Sequence, residues 1–580
     1  MIEGALVLTL AAAIVKIIGA IYKIPMIAVI GADGNGYYTY AYNIYLVIYS
    51  IAVSGFPTAI SRIIARYRAQ KRYRDVQRVH RISVVFLLCV GLFGSILLAL
   101  MARPYAEHII HIPRAFYAII AVAPSILFSC LMAAERGYNQ GLSNMTPTAL
   151  SQVVEILFKV LFGLGGSYIV KKRLMLEYST KGTILGAVLQ NGEKPEVVIG
   201  SLSAAAAIFG VTASCLFGYL FFLALRAMNH DPITRQHLMK SPAPDCDKVI
   251  LREILRYAVP IAVSSVTVYL AGLIDGVMIT NRLIKVFTTD AKALFASHGG
   301  LMELDGKSIA DAPDEIANYL YGVYGLGTSL YNLIPSITGA FGMSSMPHVT
   351  SAFVRKDGAA VEREARSVIR MTMLIAAPAG FGLLALSAPI TRFLYGGANP
   401  YSAEIAIPMV GMLGLAAIFV ALSASSNSLL QSCGMIYVPV VLMAIGAVIK
   451  ISVNYIFVGV PSINITAVPY GNIACYAIIS ILGLVILCRR QSLNVGVLGT
   501  VIKPIISGGA CGVAAFGAYT LFMQVMPRKP SIGLFLGIFA GAAVYFVMLG
   551  LLRTLDRDDV LSMPGGRKIA VILEKMHLLR

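Results

Sequence analysis

Apolar blocks of roughly twenty residues recur fourteen times along this chain, and no other feature limits its fold as strongly. A helix of that length spans the hydrocarbon core of a bilayer, and in lipid every backbone polar group must be satisfied within the segment. The blocks lie near 4–30, 37–65, 82–102, 115–134, 146–170, 199–225, 257–281, 317–346, 371–390, 405–430, 437–460, 466–488, 499–526 and 532–552. Charged residues make up 13% of the 580 positions and mean hydropathy is +0.78, against about 25% charged in soluble domains. The chain reads as an all-α polytopic membrane protein. Its first block is too long for a cleavable signal peptide, lacks a basic leading region and precedes no small-residue cleavage site.

The loops alternate in charge. The segment RYRAQKRYRDVQRVHR (66–81) is dense in Lys/Arg, and the loops after spans six and eight and the tail beyond Leu552 are also basic. Roughly 26 of the 47 Lys/Arg fall on that side and roughly 14 on the other. Basic loops stay in the cytoplasm, so both termini are expected there. The net charge of +19 is therefore read as topology rather than nucleic-acid binding. The eight cysteines show no pairing pattern or metal-ligand spacing.

An internal repeat organises the chain. QGLSNMTPTALSQVVEILFK (140–159) parallels QSCGMIYVPVVLMAIGAVIK (431–450), each placing a lysine 19 residues after its glutamine. The region 36–68 parallels 322–355: a Tyr-rich helix, a Gly/Pro break and a basic loop. Two parallel six-helix repeats follow, since six spans is an even number, with spans thirteen and fourteen added. The expected domains are an N-terminal lobe (1–226), a cytoplasmic linker (227–252), a C-terminal lobe (253–490), the helices 13–14 region (491–553) and a basic tail (554–580).

Charges inside the spans are the candidate functional residues. Lys16 falls near the middle of span one, and Lys23 two turns later on nearly the same face. A lysine at the bilayer centre costs at least about 2.5 kcal/mol, so it should face a wet cavity or an anion, the alternative being snorkelling to an interface. Glu155 and Lys159 are four apart and can pair. Lys450 repeats Lys159, but Gly446 stands where the acid would be. Asp275 in span seven and Arg62 near the cytoplasmic end of span two each read as cavity-lining or interfacial. The deep charges are mostly positive, which suits an anionic substrate such as a diphosphate. Tyr42, Tyr45 and Tyr49 share a helix face and read as packing residues, with sugar stacking as the alternative. The chain carries no Walker A pattern, and His108 and His111 lack further ligand spacing.

KIIGAIYKIPMIAVIGADGNGYY, then SGFPTAISRIIA and RGYNQGLSNMTPTALSQVVEILFKV, resembles the polysaccharide-export branch of the MOP (MATE-like) superfamily, nearest the stage V sporulation protein B and MurJ-type lipid II flippases of bacteria. The resemblance covers nearly the whole chain. It implies two six-helix lobes around a central cationic cavity, with spans thirteen and fourteen forming a groove for a polyprenyl tail. Family members use arginines in the first helix, where this chain has Lys16 and Lys23; charge is kept but the planar two-pronged phosphate grip is not. Some relatives bind sodium through an acid in helix seven and polar groups in helix eleven, which Asp275 and Asn454 match as a candidate cation site. Lys450, one turn before Asn454, would replace that ion with its own charge.

The expected function is a flippase for a polyprenyl-diphosphate-linked saccharide, foremost the peptidoglycan precursor lipid II. It would work by alternating access as a monomer in the bacterial cytoplasmic membrane. Lys16, Lys23, Lys159, Lys450 and Arg62 would hold the diphosphate; Glu155, Asp275 and Asn454 would serve charge pairing or coupling to Na+ or H+. No cofactor, nucleic-acid partner or catalytic residue is expected. The alternatives are another polyprenyl-linked unit (capsule or spore envelope), a MATE-type multidrug/cation antiporter, and a membrane glycosyltransferase using the acidic loop 282–316.

Overall fold

The structure is a computed structural model describing residues 2–188, 194–228, 238–239, 241–435, 437–491, 493–552 and 554. It is all helical but for a two-strand hairpin, Thr183–Ile184 with Ala187–Val188. Among the described residues, eleven helical segments are long and apolar enough to cross a membrane. The first, Ile21–Ala69, holds the second expected span and the last ten residues of the first. Expected spans seven and eight fall on the helices Asp247–Ser297, Pro313–Tyr331 and Leu333–Val354, which are not among the eleven.

The chain divides into two compact units, 1–284 with 311–325, and 285–310 with 326–580. The first unit thus extends past the expected lobe boundary: residues 253–284 pack with it, and the expected linker is anchored to it. The acids of 241–253 pair with arginines of the basic loop. Arg66 makes a two-pronged pair with Glu253, Arg72 bonds Asp245 at 2.6 Å and Asp75 at 2.9 Å, and Arg78 pairs with Asp247. The Tyr67 hydroxyl donates to Asp245 at 2.7 Å, and the Tyr40 hydroxyl meets that of Thr280 at 2.7 Å.

The first long helix, Ile2–Ala52, is interrupted at Gly31, whose φ of 77° favours glycine. The interruption frees the Val29 carbonyl, and the Lys171 ammonium donates to it at 2.6 Å. Just beyond, in DGNGYY, the chain meets the Pro313–Tyr331 helix at backbone contact. A Cβ on Gly322 would overlap the Ala32 carbonyl, and one on Gly36 would overlap Asn318. Asn35 Nδ2 donates to Gly322 O (2.8 Å) and Asn318 Nδ2 to Asp33 O (3.0 Å), so side-chain amides stitch the two backbones. Small residues that let helices touch, reinforced by amide hydrogen bonds, are the usual adhesive where no hydrophobic force separates helix from lipid.

In the second unit, Asp357 caps the helix Gly358–Ala385, its Oδ1 accepting from Ala360 N at 3.0 Å. Pro378 inside that helix has no N–H for the Leu374 carbonyl four residues back. The Tyr545 hydroxyl donates to that carbonyl at 2.7 Å. The helices Lys503–Val525 and Pro530–Leu551 pack closely here too: a Cβ on Gly508 would meet Ala377, one on Gly512 the Phe381 carbonyl, and one on Gly541 Ala515 and Cys511.

Candidate functional site

Two helices of the first unit, Thr146–Val160 and Ile2–Ala52, meet at Lys159. Lys159 lies near the end of Thr146–Val160, which continues through a π-helical turn, Leu161–Gly165, to Lys181. Its ammonium sits 5.5 Å from the ring centroid of Tyr42 and 5.9 Å from that of Tyr22, both on Ile2–Ala52. Aromatic faces attract a cation without neutralising it. Lys23, next to Tyr22, is half-buried and within Coulombic range of Lys159. Tyr22 fits because position 163 is glycine; a Cβ there would overlap the Tyr22 hydroxyl, which is buried and has no hydrogen-bond partner among the described residues. Tyr38, Tyr42, Tyr45 and Tyr49 form a continuous ladder with centroid spacings of 5.9, 5.8 and 5.5 Å. The ladder fits the packing reading of these tyrosines, while Tyr42 also serves the cation.

Glu155 is one turn before Lys159, but its ion pair is with Arg136, from the preceding helix Ser125–Gly141. Glu155 and Lys159 remain within Coulombic range of each other. Arg136 is held in place by Ser151, whose Oγ accepts from Nη2 at 3.0 Å and Nε at 3.2 Å. Gly218 leaves room for the carboxylate, since a Cβ there would press on Met132 and Glu155. No carboxylate forms an ion pair with Lys23 or Lys159 among the described residues. With Glu155 satisfied by Arg136, the face keeps two ammonium groups in excess.

The other predicted residues are placed as follows. The Lys16 side chain lies outside the described residues. Arg62 is exposed, with its guanidinium 4.5 Å from the Tyr257 ring centroid. Asp275 is buried in the first unit, beside Gly276, which the Tyr321 hydroxyl and Asn43 approach. Lys450 and Asn454 belong to the second unit on the helix Tyr437–Phe457, Lys450 half-buried and Asn454 fully buried against Gly471. No cluster of three metal-ligating side chains occurs among the described residues.

Sequence reasoning missed Arg136, although a signal was present. The helices 125–141 and 146–160 are joined by a short turn, so positions equidistant from residues 143–144 face each other. Arg136 and Ser151 are such a pair, and Glu155 is one turn further along. His80 with Glu135, 3.1 Å apart and buried, was missed as well.

The fold is similar to those of solved membrane transporters. An inward-facing multidrug resistance MATE family transporter aligns with 83% of this chain and 98% of its own at TM-score 0.59 and 14% identity. The lipid II flippase MurJ in an inward closed conformation aligns with 95% and 99% at TM-score 0.55 and 14% identity. The chain belongs to the polysaccharide biosynthesis protein family, whose profile matches residues 1–353; the profile of the lipid II flippase MurJ family matches residues 327–546. Lipid II flippase MurJ of Bacillus subtilis (strain 168) is 24% identical, covering 78% of this chain and 76% of its own. Stage V sporulation protein B of the same organism is 20% identical, covering 97% of each.

Proposed function

We propose that this protein is a flippase that moves a polyprenyl-diphosphate-linked saccharide, foremost lipid II, across the cytoplasmic membrane by alternating access. The observation that carries the reading is the pair of ammonium groups on Lys23 and Lys159. The Lys159 ammonium is framed by Tyr22 and Tyr42, and the nearby carboxylate of Glu155 is already bound to Arg136. Charge excess of this kind in a low-dielectric setting draws an anion, and ammonium groups grip phosphate as point charges. Lys16, Lys450 and Arg62 are assigned the same role, Lys450 on its sequence correspondence with Lys159. Asp275 and Asn454 are assigned to coupling with Na+ or H+. Both termini lie in the cytoplasm, and the working unit is a monomer. The family membership and the MurJ-family match over residues 327–546 support this reading.

The test is flux of labelled lipid II in proteoliposomes holding the purified chain. Translocation that falls at least tenfold in K23Q/K159Q is expected; flux equal to wild type in that variant overturns the assignment. A second reading, a flippase for a capsule or spore-envelope unit on the same lipid, is favoured by near full-length similarity to stage V sporulation protein B. Failure to complement a strain depleted of its lipid II flippase, together with flux of another polyprenyl-linked glycan, selects it.

A further inference from the structure

A cavity of about 420 Å³ opens within the second unit, inside the range typical of ligand pockets (roughly 300–1,000 Å³). Ser297 and His298 reach it from the end of the helix Asp247–Ser297, and Leu384 and Ser387 from the junction of the helices Gly358–Ala385 and Ser387–Tyr395. Met412 enters from the helix Pro400–Ser432. Ser462 lies on the turn before the helix Val468–Gln491, whose first turn carries Tyr470. The helix Gly358–Ala385 starts beside Arg355 and Lys356, so Leu384 marks the opposite end of the unit, extracytoplasmic by the charge reading. Among the described residues, no charged side chain lines the cavity.

One wall residue carries an acceptor that the described residues leave unsatisfied. His298 is 8% exposed, and its Nε2 is buried with no hydrogen-bond partner among them. Its other ring nitrogen is committed, because the side chain is hydrogen-bonded to Asn464. Asn464 Nδ2 donates to Ser297 Oγ at 3.0 Å and to the Pro461 carbonyl at 2.8 Å, which uses both amide hydrogens. Asn464 therefore accepts through Oδ1, and His298 donates from Nδ1. Burial pushes the imidazole below its ordinary range, so the ring is neutral and Nε2 is a bare acceptor. Asn464 is itself fully buried and held at a φ of 38°, a left-handed conformation that Asn adopts more readily than most residues. Backbone strain of this kind gathers where a ligand is held, and here it fixes one histidine tautomer.

The wall selects its occupant by exclusion. It offers no cation to an anion and no carboxylate to a metal ion or an ammonium group. It offers an acceptor, several hydroxyls and apolar surface from Leu384 and Met412. Tyr470, half exposed, sets an aromatic ring at the rim. We propose that this pocket binds a neutral saccharide ring. One sugar hydroxyl donates to His298 Nε2, others meet the hydroxyls of Ser387 and Ser462, and the apolar face of the ring lies against Tyr470. The site is distinct from the residues assigned to the diphosphate. The proposal rests on the pocket alone; only its use as a landing place for a translocated head group rests on the flippase reading.

Saturation-transfer NMR of the full chain in phosphatidylcholine nanodiscs, which present no sugar head group, tests it. The probes are glucose, N-acetylglucosamine, anionic gluconate and glycerol. Both neutral sugars should saturate at millimolar concentration, with gluconate and glycerol weaker by roughly tenfold or more. H298F keeps a ring but removes the acceptor, and should weaken sugar binding about tenfold; Y470L should weaken it about fivefold, each at an unchanged thermal midpoint. Tyr470 is half exposed, so Y470L keeps the test decisive if H298F does not fold. The proposal is overturned if neither sugar saturates, or if Y470L and folded H298F bind sugar as wild type does. Glycerol binding as tightly as the sugars also overturns it, since the pocket then holds only solvent or any small polyol. Sugar binding without lipid II flux supports this site and counts against the transport reading alone; flux without sugar binding overturns this site alone.

Discussion

Replacing Arg136 by methionine should silence Lys159 without touching it. Arg136 holds Glu155, and both side chains are largely buried, at 17% and 23% exposure. Without the guanidinium, the carboxylate loses an ion pair and stays in a low-dielectric setting. Lys159 is the cation four residues along on the same helical face. Glu155 is then expected to capture it, drawing the ammonium away from the Tyr22 and Tyr42 rings. An ammonium–phosphate hydrogen bond is worth about 1.5–3 kcal/mol, so flux of lipid II in proteoliposomes should fall roughly ten- to hundredfold. Orphaning a buried pair also costs stability, about 1–3 kcal/mol here given the partial exposure. The discriminating variant is R136M/E155Q, which removes the competing carboxylate. It should recover most of the flux while regaining little stability. Flux in R136M equal to wild type, or a double variant as slow as R136M alone, refutes the reasoning that Glu155 is neutralised to keep Lys159 available.

Three further outcomes follow from the packing. Y545F leaves the Leu374 carbonyl at the Pro378 kink without its donor, and should lower the thermal midpoint in detergent by an amount equivalent to about 1–2 kcal/mol. G322A drives a methyl into the Ala32 carbonyl, and little folded protein should survive size-exclusion chromatography, whereas G339A, with open space around it, should behave as wild type. Asp245 is held below the usual carboxylate range by its hydrogen bonds from Arg72 and Tyr67. Its depressed value means the contribution is present above the unfolded carboxylate range and fades as pH falls through the folded value. Proteolysis at 241–246 should accelerate as pH drops from 5 toward 3 in wild type, while D245N should be fast throughout.

Much of this molecule was legible in one dimension. Hydropathy blocks and charged-loop asymmetry are set by bilayer thickness and by the cost of moving charge across it, and both act on each segment separately. The all-helical polytopic fold could be read that way, and so could the presence of Lys23 and Lys159 within apolar segments. The boundary of the first unit could not. It depends on Asp245, Asp247 and Glu253 meeting the 66–81 loop, a pairing between acids and bases about 170–190 residues apart.

The chain order alone decided which residues lie in helices and which charges lie at depth, because lipid forces each span to satisfy its own backbone. The tertiary structure alone decided which charges remain available. Glu155 has a cation one turn ahead on its own helix and another across the hairpin, and no local rule ranks them. Ser151 fixes the guanidinium of Arg136 against the carboxylate, while the Lys159 ammonium stays over the rings of Tyr22 and Tyr42. That choice rests on how three helices pack.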